Sequence, residues 1–265
     1  MHILLTGGTG LIGRQLCKHW RAQGHRLTVW SRRPEEVGKL CGDLVRGIAR
    51  LDELGAEPVD AVINLAGEPI ADRPWTRKRK LLLLSSRIGL TEQLLAWLER
   101  REQKPQVLIS GSAVGWYGDG GERELDESAQ PVIRDFASQL CESWEETAQR
   151  AEELGIRVVI VRTGLVLANP GGFLQRLLLP FKLGLGGPIG NGRQWHERWT
   201  VQHVSQRLGE FAITYRVWRA GIVRTSSVRL VQQKIHQRNL IAQMNPRHPL
   251  PTIAYGPAQT ELERQ

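Results

Sequence analysis

The stretch LLTGGTGLIGRQL, residues 4–16, constrains this chain more than any other part of it. Gly7, Gly10 and Gly13 are each separated by two residues; a short apolar run, His2 to Leu5, precedes them, and an amphipathic pattern from about Leu11 to Gln23 follows and stops at Gly24. A strand, a glycine turn and a helix opening within the glycine loop together aim backbone N–H groups and a helix N-terminus at a pyrophosphate. The three glycines contribute differently. Gly7 permits the tight turn, Gly10 lets backbone approach the phosphates, and Gly13 lets helix and strand pack closely. Thr9, Leu11 and Ile12 complete the expected cradle. A turn with no ligand is the competing reading, and the flanking strand and helix argue against it.

The next strand, Arg26 to Trp30 in HRLTVWSRR, closes a βαβ unit within about 30 residues. An NAD site places an acid at the end of this strand for the ribose 2′-hydroxyl, whereas a 2′-phosphate needs a cation. Here the strand runs into Ser31, Arg32 and Arg33, so Ser31 and Arg32 are expected to hold a 2′-phosphate and the cofactor to be NADP.

Further strands are expected at Ala61–Leu65, in PQVLISGS, and in IRVVIVRTGLVL, which is apolar enough to be buried on both faces. Helical patterns cover about Lys78–Arg101, with Leu83, Ile88, Leu90, Leu94, Leu95 and Leu98 on one side, and residues 135–154 up to Gly155. Strands alternating with helices predict an α/β fold built on a doubly wound parallel Rossmann-type sheet. That domain is expected to span residues 1–167. The Gly- and Leu-rich stretch that follows breaks the rhythm and opens a small, incomplete C-terminal substrate lobe, residues 168–265.

No run approaches the ~18 uninterrupted apolar residues of a membrane helix, and no signal-peptide pattern precedes the glycine loop, so a cytoplasmic protein without a membrane partner is expected. Three cysteines, Cys17, Cys41 and Cys141, lack metal-ligand spacing and read as buried thiols. The net charge of +9 is concentrated after residue 195, where 10 Lys and Arg face 4 acids and no Asp occurs. That is a shift in composition, not a basic stripe, and no specific nucleic-acid partner is expected.

The combination TGGTGLIG, SRR, NLAG and SGSAVGWYG resembles the extended short-chain dehydrogenase/reductase superfamily. NLAGEPI, CESWE, VRTGLVL and LPFKLGLGGPIGNGRQ are similar to an atypical branch of it, the NAD(P)-dependent epimerase-like proteins sometimes labelled cell-division-inhibitor-like, over about residues 1–195. The resemblance implies that Leu65, Ala66 and Gly67 run past the adenosine side of the cofactor, that Arg87 faces the cofactor, and that Ser112 holds the place of a catalytic serine, with Ser110 second to it. It also exposes a departure. A reductase of this class pairs a tyrosine general acid/base with a lysine four residues on, and here Ala137 and Cys141 stand at those positions. Tyr117, close after Ser112, is the candidate to replace the tyrosine, against a structural or substrate-contacting role. Asp119, Glu122 and Glu127 form an acidic loop read as solvated, and Cys141 reads as packing.

After Gln194 the resemblance ends, where the composition changes. A frameshift in the coding DNA is the reading favoured over divergence toward a new partner. Either way His196, His203, His236 and His248 have no metal-ligand spacing. Two functions follow: an NADP-dependent oxidoreductase or epimerase acting on a small, sugar-like substrate, or a non-catalytic NADP-binding regulatory or redox-sensing module.

Overall fold

The computed structural model describes residues 1–121, 123, 125–167, 182–183, 195–200 and 234–236. Six parallel strands form its main sheet: β1 (His2–Thr6), β2 (Arg26–Trp30), β3 (Arg46–Ile48), β4 (Ala61–Asn64), β5 (Val107–Ala113) and β6 (Arg157–Thr163). Their order is β3-β2-β1-β4-β5-β6, the dinucleotide-binding arrangement in which strand order reverses between β1 and β4.

Alternation along each strand builds two apolar layers. Ile3 and Leu5, Ala61 and Ile63, and Val107 and Ile109 pack with α1 (Leu11–Ala22) and α2 (Val37–Cys41). Leu4, Val62 and Leu108 pack on the other face with α4 (Leu90–Glu99) and α5 (Phe136–Gln149). On this second face the strands turn polar at their C-terminal ends: Thr6, Asn64, Ser110 and Ser112 are all buried there. Every buried hydroxyl or amide must find a partner, so these residues form a bonded layer instead of apolar core.

α3 (Arg77–Leu84), a π-helical turn over Ser85–Gly89 and α4 run on as one 23-residue helical stretch. By length and apolarity it meets the requirement for crossing a membrane, with a mean hydropathy of 1.2. Leu83, Leu94, Leu95, Trp97 and Leu98 are buried against the protein instead, and Arg77–Lys80 are all basic. α4 thus belongs to the core of the sheet's second face, while Leu81 and Leu82 of α3 are exposed.

The segment expected as one strand buried on both faces is two. β6 ends at Thr163, and β7 (Leu165–Leu167) pairs with β8 (Trp195–Thr200) in a second sheet, where β8 also pairs with β9 (Lys234–His236). Along β6 only Val161 is buried, while Val158–Ile160 are half-buried. The reason is position: among the described residues β6 is the last strand of its sheet and pairs with β5 alone. β3, at three residues, is too short to show a period in the sequence. The boundary expected between residues 167 and 168 falls where the described residues thin out, and nearly all of the atypical tail lies outside them.

Candidate functional site

The loop after β1 meets the loop after β4 across the point where strand order reverses. Gly7 has φ +70°, and a Cβ there would lie 2.7 Å from the Leu65 carbonyl and 2.8 Å from the Ala66 nitrogen. A Cβ on Gly13 would lie 2.3 Å from the Gly7 oxygen and 2.6 Å from Gly8 Cα. Gly10 caps α1, its N–H bonded to the Gly7 oxygen at 3.0 Å. No side chain caps α1 and no acid occupies its first turn, so the N–H groups of that turn face outward without a protein anion. Thr9 and Leu11 are half-buried in the cradle, and Ile12 packs against the core. The residues present fit a pyrophosphate: bulk is excluded wherever backbone must approach, and the helix end is electropositive.

At the adenosine end, Ser31 Oγ accepts from the Arg33 N–H at 3.1 Å. The Arg32 side chain is 89% exposed and donates to Glu68 Oε1 at 3.1 Å. Glu68 follows the Leu65–Gly67 segment and also meets Arg79, at 3.5 Å. Arg87 sits on the π-helical turn, its guanidinium against Gly67 and donating to the Glu68 carbonyl at 3.0 Å. Two buried bonds anchor that turn: Thr91 Oγ1 donates to the Arg87 carbonyl at 2.7 Å, and Asn64 Nδ2 donates to Thr91 Oγ1 at 2.8 Å. Asn64 Oδ1 accepts from Thr6 Oγ1, which itself accepts from the Ala66 N–H. Arg87 thus braces the Gly67–Glu68 backbone; it also donates to the Leu83 carbonyl and the Ser86 hydroxyl and lies 5.4 Å from the Trp144 ring.

Deeper in, Gly111 bridges the two halves, because a Cβ there would touch both Leu65 and Trp144. β5 outruns β4 and carries Ser112 opposite Arg162 of β6 in register. Ser112 Oγ donates to Glu145 Oε1 of α5 at 2.5 Å. Arg162 grips the same carboxylate with both arms, Nε to Oε1 at 2.8 Å and Nη2 to Oε2 at 2.7 Å. Its remaining nitrogen, Nη1, donates to the Tyr117 hydroxyl at 3.1 Å, and its plane lies 3.6 Å from the Trp116 ring centre. Tyr117 is reached through Gly118 at φ +70°, where a side chain would strike the Ile133 carbonyl.

Ser112 and Tyr117, singled out from the sequence, are therefore joined through two residues that were not, Glu145 and Arg162. Burial pushes the Tyr117 phenol above its ordinary range, partly offset by Arg162. Burial also pushes the Cys141 thiol up, so it stays protonated and inert. Ala137 faces Gly115 and offers no ionisable group. Asp119 and Glu127 are exposed, and Glu122 lies outside the described residues. Ser110 Oγ accepts from Asn64 at 3.4 Å and so belongs to the structural layer.

Several comparisons bear on this geometry. The model of the NAD dependent epimerase/dehydratase family matches residues 3–201. Epimerase family protein YfhF of Bacillus subtilis is 37% identical over 228 residues, which are 84% of this chain and 72% of that protein. A Staphylococcus saprophyticus relative, epimerase family protein SSP1921, is 38% identical over 74% of this chain, which spans only 65% of the relative's length. The crystal structure of human epimerase family protein SDR39U1 with NADPH superposes with a TM-score of 0.70 at 34% identity, covering 82% of this chain and 72% of that one. UDP-glucuronic acid 4-epimerase from Bacillus cereus shares the fold at 18% identity and a TM-score of 0.67, over 92% of this chain and 82% of its own. By its glycine cradle, its strand order and these matches, the chain belongs to the NAD dependent epimerase/dehydratase family.

Proposed function

We propose that the crevice above β1 and β4 binds NADP and that the protein is an oxidoreductase or epimerase of the extended short-chain dehydrogenase/reductase type, acting on a small, sugar-like molecule in the cytoplasm. The observation that carries this reading is the cradle itself, where Gly7 and Gly13 leave no room for a Cβ and an uncapped helix end faces the gap. The human relative crystallised with NADPH supports the choice of nucleotide. So does the absence of an acid at the end of β2, where Ser31 and Arg32 stand.

Gly7, Thr9, Gly10, Leu11, Ile12 and Gly13 would hold the pyrophosphate, and Leu65, Ala66 and Gly67, braced by Arg87, would flank the adenosine. Arg32 would exchange its exposed bond to Glu68 for the 2′-phosphate, leaving Glu68 to Arg79. When bound, the nicotinamide supplies a hydride acceptor or donor. Ser112 and Tyr117 would orient a substrate oxygen and move its proton.

NADPH and NADH titrations followed by nicotinamide fluorescence test the reading. NADPH should bind at least about tenfold tighter, about 1.4 kcal/mol, and Arg32→Ala should erase the difference. Equal affinities in the wild-type protein would overturn the NADP assignment, and no binding by protein shown folded by circular dichroism would overturn the dinucleotide site. Tight NADPH binding with no turnover across a carbonyl and alcohol panel would mark the non-catalytic module instead.

A further inference from the structure

We propose that Arg162 and Glu145 are positioning residues that stand in for the lysine this chain lacks: Arg162 fixes Tyr117 as a proton donor, and Glu145 fixes Ser112 as a hydrogen-bond acceptor, so that the pair recognises a substrate hydroxyl. The inference rests on the reading of the crevice as a dinucleotide-dependent site.

Hydrogen-bond arithmetic carries it. A guanidinium has only donors and is never deprotonated in a protein, so the Arg162 contact to Tyr117 can run one way only, into a lone pair of the phenol oxygen. The phenol's single hydrogen is thereby left for another partner. Glu145 is gripped through both oxygens by Arg162, a bidentate arrangement that selects the ionised carboxylate. A carboxylate only accepts, so the short contact from Ser112 consumes that side chain's single hydrogen. Ser112 is left with two lone pairs, one within reach of the protonated Cys141 thiol and the other open. One donor and one acceptor match a hydroxyl group, which accepts from Tyr117 and donates to Ser112. A carbonyl oxygen can use only the first of these.

The charges around the phenol act in the same sense. Arg162 pulls its pKa down, while burial, which is the larger effect, and the Glu127 and Glu145 carboxylates push it up. Tyr117 therefore remains a protonated donor near neutral pH. Glu145 also limits how far Arg162 can favour the tyrosinate. The arrangement is anchored by register, because Ser112 and Arg162 are opposed residues of β5 and β6, and by burial, because Glu145 and Ser112 are 5% and 3% exposed.

The chain has three tyrosines, so protein labelled with 13C at tyrosine Cζ gives a spectrum that Tyr117→Phe assigns directly. The Tyr117 signal is then followed against pH in variants checked for folding by circular dichroism. Glu145→Gln should raise the phenol's dissociation constant, since Arg162 is no longer neutralised. The double variant Glu145→Gln/Arg162→Met removes both charges of the pair and should lower that constant by about tenfold or more. Arg162→Lys should lie near wild type. A Tyr117 titration unmoved in both the folded Glu145→Gln and double variants would overturn the proposal. NADPH titration of the wild-type protein separates the two readings: failure to bind removes the dinucleotide assignment, while the phenol titration still judges the pair.

Discussion

Gly13→Ala should abolish high-affinity dinucleotide binding. The added Cβ would sit 2.3 Å from the Gly7 oxygen and 2.6 Å from Gly8 Cα, and neither atom can yield cheaply. Gly7 follows β1 directly, its oxygen accepts from the Gly10 N–H at 3.0 Å, and the Leu65–Ala66 backbone leaves no room for even a Cβ on it. The strain is relieved only by moving α1 away from the strand, which spreads the N–H groups that would converge on the pyrophosphate. An NADPH affinity loss of about 100-fold, near 2.7 kcal/mol, is expected, with a stability loss of about 1–3 kcal/mol from overpacking. Gly38→Ala is the control, because nothing beyond its own helix lies within 4 Å of a Cβ there; it should leave affinity at wild type and stability unchanged or raised by up to about 1 kcal/mol. Wild-type affinity in Gly13→Ala, measured by calorimetric titration beside urea unfolding, would show that the loop does not hold the nucleotide.

The second large effect concerns stability. Arg162→Met leaves the Glu145 carboxylate, whose side chain is 6% exposed, without its cation. Breaking a buried pair from one side costs about 3–5 kcal/mol, whereas replacing both partners by neutral groups of similar volume is often close to neutral. Urea unfolding should therefore show Arg162→Met strongly destabilised and Glu145→Gln/Arg162→Met largely restored. The Met side chain keeps part of the packing against Trp116, where the guanidinium now stacks at 3.6 Å. A single variant within about 0.5 kcal/mol of wild type would place the pair in the range of solvated surface ion pairs.

The residues that announce the fold are those whose effect is local. A glycine spacing dictates a turn, an apolar period dictates a face, and Gly155, at φ +75°, ends the helical segment after α5 where the sequence places the stop. β1, α1 and β2 were legible for this reason. The π-helical turn carrying Arg87 was not, because the Thr91 hydroxyl that bonds the Arg87 carbonyl is itself held by Asn64, at the end of β4 and 27 residues back in the chain. Nor was the place of β6 as the last strand among the described residues, since an apolar run has the same period wherever its strand lies in the sheet.

The candidate site divides along the same line. The cradle, the Ser31–Arg32 pair and Ser112 and Tyr117 stand in motifs a few residues long, and the sequence alone determined their place in the chain. Glu145 and Arg162 gave no such signal: a glutamate inside an amphipathic helix and an arginine inside an apolar strand read as ordinary. Strand register put Arg162 opposite Ser112, 50 residues away in the chain, and the packing of α5 on that face set Glu145 between them. Those bonds form between groups with no neighbour relation along the chain, so only the tertiary structure could decide them.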